Sequence, residues 1–479
     1  MKKYITSILA LSMVFTACST DTDINRDPDL LNPDNAPLSA QLPAGISGLA
    51  GSEGAAMAII GGMWAQYWTQ SNAANQYKDI DNYNLGTADY NYVWDGMYDA
   101  LGDIRNVKRK AAASGNWKYY LIATTLEAQA SQILTDWYGS VPYEEANNKD
   151  ILAPRFNTGE EIYDLMIADL DDALSKDLSA SQGTNPGTDD FIFGGDMTKW
   201  TQFANTMKLK IYMRQTNSSR AAAAGTAITA MLNSGVTFLS TDAAMTQFTD
   251  AINQSNPLYE FNNRRLNVAT NLRMSTTLAS YFAANSDPRR GAYYLAGNSL
   301  NQGFYNSTVG AGTIAVVKLA ATTPVLFMSK EESLFLQAEA AARYNGGTGA
   351  KALYDAAVNA NFARYSLAEG GLLAGAYAYP SAGTVDQQIE AIIVQKWIAS
   401  FPGNGFEGFF EKNRTGYPRT SAVPQSDPSY VPGQITYSVN GATGGLFPKR
   451  MPYPLTERNA NPNAPTLVPI TTPVWWANN

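Results

Sequence analysis

Between Trp117 and Gly139, apolar residues Ile122, Leu126, Ile133 and Trp137 recur at spacings of four and seven. That spacing places them on one face of a helix, and such a face must find a partner to bury it. A partner helix is predicted just upstream, around Tyr92 to Ala113, joined through Ser114-Gly115-Asn116. Asn157-Thr158-Gly159-Glu160 offers a cap for an amphipathic segment carrying Ile162, Leu165, Met166, Leu170 and Ala173, with Trp200 to Arg214 as its mate. Ser329-Lys330-Glu331-Glu332 opens a third pair, whose return runs from Ala350 to Phe362. One more helix is expected over Asp386 to Phe401. The chain is therefore expected to be mainly α, with tetratricopeptide-like pairs near 92–137, 159–214 and 329–362 and little β structure. Alanines at the crossings let such helices approach closely. Residues 69–93 and 240–325 are rich in Asn, Gly, Ser, Thr and Tyr, and the tail after Pro402 in Pro and Gly. These are expected to be loops that a helical scaffold displays, and 69–93 and 240–325 form the predicted binding region.

Composition removes whole classes of chemistry. The 479 residues include no histidine, so a neutral-pH imidazole base, the commonest zinc ligand and a Ser-His-Asp triad are all absent. A lone cysteine, Cys18, excludes an intrachain disulfide. With a formal net charge of −8 there is no basic field for nucleic acid. No metal or cofactor is expected.

The first residues read as an address. Lys2 and Lys3 precede an apolar run from Ile5 to Phe15, followed by Thr16, Ala17 and Cys18. The run is too short for a comfortable membrane span. The reading is a signal peptide over 1–17, a Cys18 that becomes the lipidated first residue, a polar tether over 18–45, and a folded domain over 46–479. Phe15-Thr16-Ala17-Cys18 resembles a bacterial lipobox, with phenylalanine where leucine is usual. Ser19-Thr20-Asp21-Thr22-Asp23 looks like the acidic tag that sends Bacteroidota lipoproteins to the outer face; composition alone is equally compatible with a plain solvated tether.

Several segments, in order, resemble the SusD/RagB family, in its SusD-like branch. They are Thr135-Asp136-Trp137-Tyr138-Gly139-Ser140-Val141-Pro142-Tyr143, Phe203-Ala204-Asn205-Thr206 with Lys208-Leu209-Lys210, and Asp287-Pro288-Arg289. Phe335-Leu336-Gln337-Ala338-Glu339-Ala340, Gln395-Lys396-Trp397-Ile398-Ala399, Asn413-Arg414-Thr415-Gly416-Tyr417-Pro418 and Arg450-Met451-Pro452-Tyr453-Pro454 follow. The resemblance implies an outer-membrane lipoprotein that binds a nutrient without transforming it, by default an oligosaccharide. It also implies a partner, a SusC-like TonB-dependent barrel transporter over which the lipoprotein sits as a hinged lid. Peptide or another polymer is the alternative cargo, and a two-carboxylate glycosidase the alternative activity.

A neutral glycan site needs flat rings against C–H faces, and amides or charges against hydroxyls. Between Trp64 and Trp94 the sequence supplies Trp68, Tyr77, Tyr83, Tyr90 and Tyr92 among Asn72, Asn75, Gln76, Asp79, Asp81, Asn82 and Asn84. The ligand-binding candidates are Trp68, Asn72, Tyr77, Asp81, Tyr83 and Tyr90, with Tyr259, Asn263 and Arg264 as a smaller group. Trp64 and Trp68 are one helical turn apart, and core packing is the competing reading for both. For Tyr77 and Tyr83 it is loop packing, and for the group at 259–264 a salt-bridged surface loop. The pairs Glu144-Glu145 and Asp171-Asp172 read as solvated faces. Arg414, Tyr417, Arg450 and Tyr453 read as fixing the tail; for Trp475 and Trp476, a docking strand and a surface anchor both stay open.

Overall fold

Leu42, Ile46 and Leu49 follow one another at spacings of four and three and are fully buried, because Leu38–Ser52 is a helix, α1. The computed structural model describes residues 36–265 and 270–477. Its helical part thus begins at Leu38, inside the stretch predicted to be tether. Pro43 and the polar neighbours mask a stripe that only burial reveals. Cys18 and the expected signal segment lie outside the described residues.

α1 runs through a single π-helical turn, Glu53–Met57, into α2, Ala58–Trp64. Strand β1, Trp68–Gln70, follows. The predicted pairs then appear in order as α3 (Asn91–Ser114) with α4 (Trp117–Tyr138), and α5 (Gly159–Ser175) with α6 (Met197–Arg214). Gly115 takes φ +70° to end α3, and the Asn116 side chain caps α4. Thr158 and Glu161 form a reciprocal capping box on α5. Short strands β2 (Val141–Pro142) and β3 (Phe156–Asn157) pair between α4 and α5. After α7 (Ala221–Asn233) the chain makes β4 (Ala243–Met245), β5 (Leu272–Met274), α8 (Thr276–Ala284) and β6 (Val325–Met328). β5 pairs antiparallel with β1, Trp68 opposite Met274, and β6 with β4. The third pair is α9 (Lys330–Tyr344) with α10 (Ala350–Arg364), and the Ser329 hydroxyl accepts from the Glu332 amide at 3.0 Å. α11 (Val385–Ala399) follows as expected.

α12, Gly405–Thr415, lies in the tail predicted to be loop. Its glycines are there for contact. A Cβ on Gly405 would stand 2.4 Å from the Gly62 amide nitrogen, and one on Gly61 would stand 2.1 Å from that of Phe406. α2 and α12 therefore cross backbone to backbone, which only residues without side chains allow.

Every residue of α4 from Tyr119 to Tyr138 is buried, and α1, α3, α5 and α6 pack around it. On this core the motif residues converge. Arg214 is bonded to Asp136 at 3.0 Å and to Glu407 and Glu411 at 2.6 Å each. Lys210 reaches Glu407 at 2.7 Å and Glu332 at 3.0 Å, Lys396 reaches Glu411 at 3.3 Å, and Arg414 pairs with Glu339 at 2.7 Å and with Glu411. α4, α6, α9, α11 and α12 are thereby tied by charges withdrawn from water. Losing one partner would strand another, which makes the register of these helices specific. The tail closes on the same group: the Trp476 indole donates to Asp136 at 2.7 Å. Asp287 and Arg289 form a separate buried pair at 2.7 Å, the guanidinium 4.2 Å from the Phe362 ring centre. The described residues from Leu38 onward form one compact unit of tetratricopeptide-like helix pairs carrying irregular loops.

Candidate functional site

The candidate residues separate into a buried group and a displayed group. Trp68 is buried in β1, not on the α2 face predicted for it, because the helix ends at Trp64 and Gln66 turns the chain with φ +60°. Its indole donates to the Ile59 carbonyl at 3.2 Å, and its ring meets Tyr67 and Phe401. Asp81 is fully buried and accepts from the Thr69 hydroxyl at 2.6 Å, the Gln70 amide at 2.8 Å and the Gln302 side chain. Burial pushes its carboxyl up to about 6 against those hydrogen bonds. Asp81 thus pins β1 and the 300s loop together. Asn72 does similar work, donating to the carbonyls of Ser307 at 2.9 Å and Val309 at 2.6 Å. These three hold the loop over 69–93 in place, and their polar and aromatic character serves packing in this conformation.

Tyr83 is also buried, against Tyr437 at 5.5 Å and Phe447 at 6.3 Å, in the left-handed conformation at φ +63°. It walls two cavities, of 370 and 570 Å³. Trp64 packs into the core against Trp137 and Phe409. Arg450 donates to the Tyr138 carbonyl, and the Tyr453 hydroxyl to that of Ser140 at 2.8 Å, so both fix the tail as expected. Trp476 is in the core, neither strand nor surface anchor.

The displayed group is assembled from both loop regions. Tyr90, at φ +56°, starts α3, and its ring lies 5.9 Å from that of Tyr92. Tyr92 is 48% exposed and lies 6.1 Å from Phe261, the planes inclined by 31°. Phe261 belongs to a single π-helical turn, Glu260–Arg264, capped upstream by Asn256, whose side chain accepts from the Tyr259 amide at 3.1 Å. The same turn carries Asn263 and Arg264, and Tyr259 directly precedes it. The Arg264 guanidinium sits 5.3 Å from the Tyr259 ring centre, 3.4 Å from Glu260, and pairs with Asp250. The salt-bridged reading of Arg264 is therefore correct, and it steadies the turn that presents Phe261.

Beneath the rings, Tyr77 is buried with its hydroxyl unpartnered, close to Tyr90 and Tyr92. Burial raises all three phenols, Tyr92 to about 12, so each keeps its proton as a donor at physiological pH. Phe261 also lines a cavity of 450 Å³ edged by Gln247, Asn253, Gln254 and Arg265. Rings beside amides are what a molecule with alternating C–H and hydroxyl faces requires. Phe261, Gln247 and Gln254 escaped the sequence reading; the available signal was the Tyr259-Glu260-Phe261 run inside the polar 240–325 stretch.

The acidic pairs lie elsewhere and are engaged on the surface, Glu144 with Arg155, Asp171 with Lys208 and Asp172 with Lys176. Among the described residues no cluster of three or more acidic side chains could hold a metal ion, and no helix is long and apolar enough to cross a membrane.

Residues 39–454 match the model of the SusD-like family whose description reads starch-binding, associating with outer membrane. A search of curated proteins returns no match. Among solved structures, a SusD homolog from Bacteroides uniformis superposes with a TM-score of 0.75 at 24% identity, over 92% of this chain and 99% of its own. A chitin-binding SusD homolog from Flavobacterium johnsoniae gives 0.75 at 20% identity, over 91% and 99%. A SusD/RagB family protein from Bacteroides thetaiotaomicron gives 0.73 at 21%, over 92% and 99%. With the family model spanning most of the sequence and the helix pairs superposing on these folds, the chain belongs to the SusD-like family.

Proposed function

We propose that this protein captures a neutral oligosaccharide on the Tyr90–Tyr92–Phe261 ribbon and delivers it intact to a TonB-dependent outer-membrane transporter, over which it acts as a lid. The observation that carries this reading is the contact between exposed Tyr92 and half-buried Phe261, which itself lines an amide-edged cavity. The description of its family as starch-binding and outer-membrane associated supports it, as does the chitin-binding neighbour. Stacked rings contribute to sugar affinity without any reacting group, and the carboxylates of Glu260 and Asp250 beside the ribbon are held by Arg264. The protein is anchored on the outer membrane, facing outward, through acyl chains on Cys18, and no cofactor takes part.

The test is retention against turnover. Mature protein incubated with malto- and chito-oligosaccharide pools is expected to retain oligosaccharide and release no new reducing ends. Product release would identify an enzyme, and retention of peptides alone a different cargo. Expressed in a bacterial host with its transporter, the wild type is expected in the outer-membrane fraction and C18S in the soluble one.

A further inference from the structure

A second cavity, of 370 Å³, lies where α2 and α12 meet the loop around 445–449. Its walls carry the rings of Trp64, Tyr83, Phe409 and Phe447, and its polar lining includes Lys412, Lys449 and Asn413. No aspartate or glutamate is among the lining residues. We propose that this cavity binds the carboxylate of a small ligand built on a six-membered ring, independently of the Tyr90–Tyr92–Phe261 ribbon.

Three observations lead there. The Lys412 ammonium donates to the carbonyls of Gly416 at 2.6 Å and Pro418 at 2.5 Å. Those carbonyls leave its charge uncompensated, and Lys412 makes no ion pair among the described residues. Arg419, whose charge bears on Lys412, already holds Glu390 at 2.6 Å, so that carboxylate is committed. Burial, with Lys449 and Arg419 nearby, holds the Lys412 amine down to about 7. An anion in the cavity would reverse this by favouring the charged amine.

Asn413 supplies the second observation. It is 2% exposed, and its Nδ2 has no hydrogen-bond partner. A buried donor without an acceptor is costly and calls for a ligand or a water. The third is shape: rings on several sides match a flat body, and one ammonium with one amide suits the two oxygens of a carboxylate. A phosphate dianion would ask more donors of so apolar a chamber.

The shared chemistry is a ring-borne carboxylate, which a uronic-acid sugar or an aromatic acid could supply. Calorimetric titration of the mature chain with glucuronate and with benzoate, each against its uncharged methyl ester, tests the proposal and separates the two sources. At least one acid is expected to bind about tenfold or more tightly than its ester, and K412M to abolish that difference. Y92A is expected to leave it unchanged, so failure here and failure of the oligosaccharide site are distinguishable. Should K412M not fold, the acid-against-ester comparison in the wild type decides alone. Equal binding of acid and ester, no binding of either acid at ~10 mM, or an undiminished preference in folded K412M would each overturn the proposal.

Discussion

Tyr92 and Phe261 face one another at 6.1 Å, joining the first turn of α3 to a π-helical turn far along the chain. Because Tyr92 is 48% exposed, its ring adds little to the core. Y92A is expected to lower stability by about 1 kcal/mol or less, as substitutions outside the core usually do. Urea unfolding monitored by circular dichroism checks this, and a loss comparable with that of a core tryptophan would remove Tyr92 from the site.

Trp68 should behave in the opposite way. It is fully exchanged from water into a nest of Tyr67, Phe401 and the Ile59 carbonyl. W68A is expected to cost about 3–5 kcal/mol, as large-to-small changes in cores do. The same urea titration reads it.

The crossing of α2 and α12 leaves no room for a methyl group. At Gly405 a Cβ would meet the backbone of Gly62 and Gly61, which cannot rotate away as a side chain could. G405A is expected to destabilise the protein by about 3 kcal/mol, the upper part of the usual overpacking range. G403A, where a Cβ meets nothing within 4 Å, is the control and should have a small effect.

Glu53 ties stability to pH. Burial raises its carboxyl to about 8 despite the hydrogen bond from Gln129 and the charge of Lys210. The folded state therefore holds the proton more tightly than the unfolded chain. Its contribution is complete below about pH 4.5 and is lost as pH rises towards 8. A difference of this size amounts to about 3–5 kcal/mol across that window. E53Q should remove that part of the slope. Asp81 and Asp136, both raised to about 6, leave a smaller slope in wild type and variant alike. Identical pH dependence of the melting temperature in both proteins would show that Glu53 ionises without penalty.

The helix pairs were legible because their signals are local. The Thr158 cap, the Gly115 stop and the Ile122–Leu126–Ile133–Trp137 stripe act within a few residues of where they stand. α12 was hidden because its glycines, poor helix formers in isolation, are explained only by the α2 backbone they touch. The loop over 69–93 misled for a related reason. Trp68, Asp81 and Tyr83 sit among Asn and Gly, the composition of a displayed loop. Their partners Met274, Gln302 and Tyr437 come from distant segments that fold back over them. Composition makes Tyr90 and residues 259–264 candidates, but nothing local in the sequence announces that Phe261 meets Tyr92.

Affinity for a neutral oligosaccharide, measured by isothermal titration for the wild type, Y92A and F261A, tests the central claim most directly. Each ring removed is expected to weaken binding about tenfold, the scale of a stacking contact, with the fold retained. Undiminished affinity in both well-folded variants would contradict the assignment of the ribbon as the place where the ligand is held.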